Sequence, residues 1–351
     1  TATHAEAPRQ TEAGKNFGKR VPKKRDSKGN LVRVEQKEAR NHGNTKVPLD
    51  AVDVHIAVDK DLPVQAKWRD PQTNELGYSY NQEYAKNKLA KGWESFRANS
   101  GDIQKGVRQL RNMSVDHLKN SPTDTCLALV GLLGIRHGGE ARTHDDGELT
   151  GMGAVDLRKQ DVSIRGDSIT LIYRGKWNRP QRFTKRNKVV AEAMAHHMEG
   201  KSKSDRIFHT STARNRKRFK ELAGNDKVKV KDLRTDYANY TAASAVKANP
   251  PPPNMSSKGF TAWQNKIGLI VGEALGHKKE ETRKNKSGKV MYETDGITPK
   301  KHFVTTAKES IDSYIDPAFW DKHRPKQDIQ NAYTPDWHDK TPLEERDIDE
   351  Y

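Results

Sequence analysis

The sequence predicts an α+β protein: a small N-terminal β domain, then a mainly α-helical domain that carries a three-stranded antiparallel sheet. Three observations lead there. Residues 46–85 hold short runs of strand formers separated by turn residues. Residues 149–185 hold three more such runs, broken at "RGDS" and "GKWN". The rest, from about 82 to 148 and from 186 to 320, follows helical patterning. A chain of 351 residues suits one large domain plus a small one. At 32% hydrophobic it can build a core, provided much of its length is surface or tail.

Each element has a local reason. Residues 1–45 are rich in Lys, Arg, Glu, Gln, Asn and Gly and poor in large apolar side chains. Such a segment buries too little surface to offset its ordering entropy, so it is expected to be a flexible basic arm, either touching phosphates loosely or simply solvated. "VDVHIAV" alternates apolar and polar, as a half-buried strand does. "PVQAKWRDPQTNELGYSYN" reads as strand, turn, strand, with the turn at Asp70, Pro71, Gln72, Thr73 and Asn74. "TDTCLALVGLLGIRHGG" reads as an apolar helix capped by Thr123 or Asp124 and stopped by Gly138 and Gly139. The four prolines of "NPPPPN" (249–254) forbid helix and predict a stiff loop. Trp263, Ile267, Ile270 and Val271 share one helical face and are expected in the core, with His277 at the end of that helix. The resulting plan is an arm at 1–45, a β domain at 46–85, the main domain at 86–324 and a polar tail at 325–351.

Charge narrows the partner. With 64 Lys and Arg against 47 Asp and Glu, the net charge is +17. Cations that neutralise phosphates release condensed counterions, so a nucleic acid is the expected partner. A basic protein kept soluble by its charge, or one associated with ribosomes, is the alternative. The single cysteine, Cys126, lies in an apolar run, which excludes an internal disulfide and a cysteine zinc site and reads as a core residue. No run approaches the ~20 apolar residues of a membrane span, and the N-terminus has no apolar signal core. An intracellular, reducing location and no membrane partner are expected.

Phosphodiester transfer without a metal has definite requirements. A nucleophile attacks phosphorus, fixed cations balance the pentacoordinate transition state, and a general acid protonates the leaving oxygen. Arginine suits the clamp because its planar fork binds two oxygens and keeps its charge. Taken in order, Arg136 ends the apolar helix in "LLGIRHGGEA". Lys176 sits at a hairpin tip in "IYRGKWNR", and Arg234 lies in "VKVKDLRTDYAN". His277 follows in "GEALGHKKEE", and Tyr314 in "AKESIDSYIDPAFW".

That order resembles the catalytic core of type IB DNA topoisomerases, the poxvirus and bacterial branch especially. The likeness spans about residues 46–320. "GMGAVDLRKQDVSI" is similar to the segment after the family's first arginine, and "VQAKWRDPQTNELGYSY" to its N-terminal β domain. The resemblance implies the fold shared by topoisomerases IB and tyrosine recombinases, closed as a monomeric clamp around double-stranded DNA. It implies Tyr314 as nucleophile, forming a 3′-phosphotyrosine, with Arg136 and Arg234 on the nonbridging oxygens and His277 donating to one of them. It implies Lys176 as general acid to the 5′ oxygen, alone or with Arg136. The broken strand rotates and is rejoined. No cofactor, metal or ATP is implied, since the phosphotyrosine retains the bond energy.

The chain departs from the family pattern in three places. A Lys-, Gly- and Asn-rich piece at about 280–302 lengthens the gap from His277 to Tyr314 and reads as an inserted linker; it contains Tyr292, a rival nucleophile in a less family-like setting, "MYETDG". Val155, Asp156 and Asp161 stand where Thr- or His-like residues are usual. "RHGGEA" differs modestly after the arginine. Outside the five residues, His137, His144, Asp145 and Asp146 fit no ligand spacing and read as a polar loop. His196 and His197 read as a helix face, and "RNRKRFKEL" (214–222) as a basic helix along DNA phosphates or a solvated one. Two rivals remain. A tyrosine recombinase usually has His three residues before the second arginine, where this chain has Lys231, and a helical N-terminal domain. A non-catalytic DNA-binding protein would be expected to have lost one of the five residues.

Overall fold

In the computed structural model, which describes residues 31–33, 47, 51–57, 64–69, 76–139, 141–143, 149–285, 287–294 and 300–325, the chain divides into two units. The first comprises residues 1–92 with 143–148, the second 93–142 with 149–351. The Asp70–Asn74 turn, the group His144, Asp145 and Asp146, and the tail beyond 325 lie outside the described residues.

The first unit carries an antiparallel sheet of four strands in sequential order: β1 (Leu31–Arg33), β2 (Val52–Ala57), β3 (Val64–Arg69) and β4 (Leu76–Tyr80). Strand β1 falls inside the segment expected to be a free arm. "LVR" is a short run of strand formers, and pairing Leu31 opposite Ala57 satisfies one edge of β2. Val47, Ala51, Val54, Ile56, Ala66 and Trp68 form the apolar cluster of this sheet. Val52, which strict alternation would bury, is exposed. Asp53 has φ of 51°, and the β2–β3 register shifts between Val52 and His55, so a bulge resets the alternation. His55 turns inward instead, its Nδ1 3.0 Å from the Asp53 carbonyl.

Helix α1 (Gln82–Ala98) leads into α2 (Ser100–Arg111), α3 (Val115–Asn120) and α4 (Pro122–Leu133). Helix α4 is buried almost all round and packs against α2, α3, α5, α6 and α7, which explains its uninterrupted apolar sequence. Its cap is Ser121, whose Oγ accepts from Asp124 N at 3.2 Å, with Pro122 in the first turn where a missing N–H costs nothing. Thr123 and Asp124 are thus inside the helix, and the Asp124 carboxylate pairs with Arg218 Nε at 2.8 Å and His117 Nε2 at 2.8 Å. The helix stops earlier than expected, at Leu133, because Gly134 takes φ of 69°. Gly138 and Gly139 belong to the loop beyond.

Strands β5 (Val162–Arg165), β6 (Ser168–Arg174) and β7 (Pro180–Arg186) form the expected three-stranded antiparallel sheet. Helices α5 (Lys188–Met198), α6 (Thr212–Ala223), α7 (Val230–Ala248) and α8 (Ser257–Leu275) follow. His197 is more than part of an exposed face. Its Nε2 lies 3.0 Å from Leu118 O and 3.3 Å from Thr125 Oγ1, tying α5 to α3 and α4. On α8, Trp263, Ile267 and Val271 are buried as expected, but Ile270 is 37% exposed at the edge of the stripe. The 280–302 segment begins and ends in strands. Strands β8 (Lys278–Thr282) and β9 (Lys301–Thr305) pair antiparallel, Lys278 opposite Thr305, and enclose it as a ribbon. Short helices α9 (Lys308–Ser313) and α10 (Pro317–Asp321) complete the described fold.

The second unit has two apolar clusters. One surrounds α4 and the sheet; the other lies among α7, α8 and α10. Helix α7 spans both: Val230 and Leu233 belong to the first, Ala238, Ala242 and Ala245 to the second. A buried ion pair fixes the chain between α9 and α10. Arg97 Nε and Nη2 donate to both carboxylate oxygens of Asp316, at 2.9 and 3.1 Å, and Asp316 also accepts from Ala318 N at 3.0 Å. Since Asp316 is 1% exposed, Arg97→Ala leaves a buried charge without its cation. Urea unfolding should register a loss of about 3–5 kcal/mol. A loss below about 1 kcal/mol, the range of exposed pairs, contradicts this view of the pair.

Candidate active site

The site begins with Arg234, on the first half of α7 and 8% exposed. Its Nε donates to Gly134 O at 3.0 Å and its Nη2 to Leu275 O at 2.6 Å. Both acceptors stand at helix C-termini, those of α4 and α8, where the backbone dipole favours a cation. Both helices end in a left-handed glycine, Gly134 at φ 69° and Gly276 at φ 70°. The third nitrogen, Nη1, donates to Tyr314 Oη at 2.9 Å. A guanidinium has five N–H donors. Three are used here, so two remain for a ligand.

Arg136 lies in the loop three residues after α4, not at the helix end itself. The loop is strapped down by "GMGAVD". Ala154 N donates to Arg136 O at 2.7 Å and Val155 N to His137 O at 3.0 Å. Asp156 Oδ2 accepts from Gly139 N at 2.7 Å and Gly153 N at 3.1 Å. A side chain on Gly138 would collide with that carboxylate and with Gly153. Val155 and Asp156 are buried in this loop, and Asp161 accepts from Arg158 N at 2.8 Å. Burial pushes the Asp156 carboxyl up, against the two amide donors and nearby arginines.

Lys176 is exposed at the tip between β6 and β7, in a 3₁₀ turn whose Asn178 has φ of 53°. His277 follows the αL cap of α8; its amide bonds to Gly272 O at 2.8 Å and its carbonyl accepts from Thr306 N at 2.9 Å. Tyr314 ends α9, its amide 3.0 Å from Ser310 O. The phenol ring packs against His277, centroids 4.9 Å apart, with the Arg234 guanidinium 4.9 Å and Lys231 Nζ 5.3 Å from its centroid. Asn239, on α7, holds the backbone on both sides: its Nδ2 donates to Tyr314 O at 3.0 Å and its Oδ1 accepts from Asp316 N at 2.9 Å.

Arg136, Lys176, Arg234, His277 and Tyr314 all line one cleft of about 810 Å³. Tyr292, 48% exposed on the ribbon, is not among its lining residues. The cleft also brings in groups that sequence reasoning did not assign to it: Arg179, Lys231 and Glu309. Glu309 is the anion there, 3.8 Å from His277 Nε2 and 4.0 Å from Arg179 Nη1. Arg179 lies three residues after Lys176 in "IYRGKWNR", with nothing to single it out from the chain's other arginines. Ser310, whose Oγ lies 2.8 Å from His277 Nδ1, was by contrast findable one helical turn before Tyr314. His137 bonds through Nε2 to Asn215 Nδ2 at 3.0 Å, and Asn215 also reaches Cys126 Sγ at 3.2 Å, so "RNRKRFKEL" supports the arginine loop from within. Cys126 is fully buried, its thiol pushed up to about 12 by burial. Among the described residues, no group of three or more His, Cys, Asp or Glu side chains could hold a metal ion, and no helix is long and apolar enough to cross a membrane.

Burial, reinforced by the charges of Arg234 and Arg179, lowers the His277 pKa to about 3; burial and Arg216 lower that of His137 to about 4. Both rings are neutral near pH 7, whereas an unfolded histidine titrates near ~6.5. The unfolded chain therefore binds more protons below ~6.5, and stability present above that pH is lost progressively as pH falls toward 3. Denaturation midpoints should drop between pH 7 and 5, and His277→Gln should flatten that drop. An equally steep drop in His277→Gln excludes a buried neutral His277.

The family model described as "Eukaryotic DNA topoisomerase I, catalytic core" matches residues 86–311, well over half of the chain and ending three residues short of Tyr314. No curated protein matches the sequence. Solved structures with similarity include the XerH site-specific recombinase in a pre-cleavage complex with difH substrate. It is 14% identical over 50% of this chain and 45% of its own, with a TM-score of 0.32. A post-cleavage complex of XerH on palindromic difH gives the same identity and TM-score over 44% of that chain. The chain thus spans under half the length of those recombinases, and so slight a likeness bears on neither activity nor substrate. The family match rests on the catalytic core itself, and the chain belongs to the eukaryotic DNA topoisomerase I catalytic-core family, within the superfamily of type IB topoisomerases and tyrosine recombinases.

Proposed function

We propose that the chain is a type IB DNA topoisomerase that relaxes supercoiled DNA by transient cleavage of one strand, and that it works wherever the cell or virus keeps duplex DNA. The observation that carries this reading is the 2.9 Å bond from a buried, doubly anchored arginine to the Tyr314 hydroxyl, in a cleft shared with Arg136, Lys176 and His277. Free tyrosine ionises near ~10, so a phenol needs cations beside it to become a nucleophile at neutral pH. Arg234 and Lys231 supply them.

In this mechanism Tyr314 Oη loses its proton to solvent in the open cleft and attacks phosphorus. The bond to the 5′ oxygen breaks, and a 3′-phosphotyrosine forms. The two free Arg234 donors and Arg136 hold the nonbridging oxygens as negative charge builds. His277 Nε2, buried and without a hydrogen-bond partner, donates to one of them. Lys176 protonates the 5′ oxygen. Glu309, 46% exposed, swings out of the cleft as the phosphodiester enters. Reversal reseals the strand after rotation, with no ATP and no metal required. The net charge of +17 supports duplex DNA as substrate. Lys231 in place of the recombinase histidine supports relaxation over site-specific exchange.

Supercoiled plasmid incubated with EDTA should relax. Tyr314→Phe should bind DNA with near-normal affinity yet form no covalent adduct, whereas Tyr292→Phe should remain active; relaxation by Tyr314→Phe overturns the assignment, and recombination of paired sites without relaxation favours a recombinase. Lys176→Ala should slow cleavage strongly on an ordinary substrate and far less when sulfur replaces the 5′ leaving oxygen, because a thiolate leaves without a proton. Equal slowing on both removes Lys176 from the general-acid role. Affinity should also fall steeply between about 50 and 200 mM salt, and a flat response contradicts phosphate-dominated binding.

A further inference from the structure

The proposed mechanism needs the His277 proton on Nε2, and the neighbours of the ring determine whether it resides there. A neutral imidazole carries one N–H, on Nδ1 or on Nε2. His277 is 4% exposed. Its Nδ1 lies 2.8 Å from Ser310 Oγ. Its Nε2 has no hydrogen-bond partner; Glu309 Oε1, at 3.8 Å, is beyond bonding reach. Ser310 is fully buried on α9, and among the described residues its hydroxyl makes this one hydrogen bond.

The two tautomers leave different atoms unpaired. With the proton on Nδ1, the ring donates to Ser310 Oγ. The serine hydroxyl proton is then buried without an acceptor, and Nε2 presents only a lone pair to the cleft. With the proton on Nε2, Ser310 donates to Nδ1 and its hydroxyl is satisfied. The atom left unpaired is then the Nε2–H, in the cleft where an anionic oxygen arrives. An orphaned buried donor is costly, so the second arrangement is favoured, and the Glu309 carboxylate adds to the preference. Arg234 and Arg179 oppose it weakly by favouring a lone pair at Nε2, but they equally keep the ring from becoming doubly protonated.

We propose that Ser310 is a positioning residue that donates its hydroxyl proton to His277 Nδ1 and so holds the imidazole in the Nε2–H tautomer required to donate to a phosphoryl oxygen. This rests on the topoisomerase reading for its purpose, but its physical content concerns the free protein. Ser310 is buried behind the cleft and does not line it. It sits four residues before Tyr314, so one short helix carries both the nucleophile and the residue that sets the tautomer.

Two measurements on the full chain decide it. Nitrogen-15 NMR of histidine-labelled protein without DNA should show His277 with Nε2 protonated and Nδ1 as acceptor, and Ser310→Ala should populate the other tautomer. A wild-type proton on Nδ1 overturns the proposal whatever the activity. In single-turnover cleavage of a duplex oligonucleotide, Ser310→Ala should slow the chemical step roughly three- to tenfold, the scale of one neutral hydrogen bond, without weakening DNA binding. In a His277→Ala background the same change should add nothing. Equal slowing in both backgrounds means that Ser310 acts through α9 packing, and the proposal fails. A wild-type chain that cleaves no DNA defeats the functional reading and leaves the tautomer measurement to decide this one.

Discussion

The arrangement depends on how Arg234 is held. A guanidinium that is 8% exposed must find partners for its donors, or the fold carries the cost of desolvating a charge. Here the partners are carbonyls at the C-termini of two helices, α4 and α8. That demand explains why both helices stop at a left-handed glycine. A further turn of either would carry its carbonyls into intrahelical bonds and take them from the arginine. It also explains the position of the arginine along α7, at the seam between two apolar clusters, where a charge displaces least packing. One donor direction remains aimed at Tyr314, so the clamp and the candidate nucleophile share one anchor.

The tyrosine has its own restraints. Asn239 bonds on both sides of it, to Tyr314 O and Asp316 N, and Arg97 pins Asp316 from α1. "SYIDP" is therefore a structural phrase as well as a chemical one: the aspartate accepts three hydrogen bonds, two from Arg97 and one from Ala318 N, and the proline opens α10. In the proposed reaction, such restraint lowers the entropy lost when the phenol lines up with phosphorus. The ribbon β8–β9 returns the chain from His277 to Thr306 by strand pairing, Lys278 opposite Thr305.

Much of this was legible in the sequence because it depends on local chemistry. The sheet at 162–186 could be read from alternation and two turn signals. The five cleft residues could be read from their order and settings, since each sits beside a turn or a helix end that its motif encodes. What escaped depended on partners distant in sequence. The end of α4 was misplaced because Gly134 and Gly138 are alike as residues; only the need to present Gly134 O to Arg234, one hundred residues on, distinguishes them. The cap was misplaced because Asp124 is a good cap in isolation but is committed to Arg218. Val52 escaped because a bulge is set by pairing, not by composition. Arg179 and Glu309 lie within the motifs of Lys176 and Tyr314, but no chemistry of their own singled them out there, and only folding brought them to the cleft.

The central claim is that Tyr314, held by Arg234, is the atom source of a covalent bond to DNA. Its most direct test is to trap the reaction on a duplex whose cleaved end diffuses away, digest the complex, and identify the DNA-bearing peptide by mass spectrometry. The account predicts a single modified peptide containing "SYIDP", with a 3′-phosphoryl on Tyr314 and loss of the adduct in Arg234→Ala. A modified Tyr292, or an adduct that persists undiminished without Arg234, would contradict it.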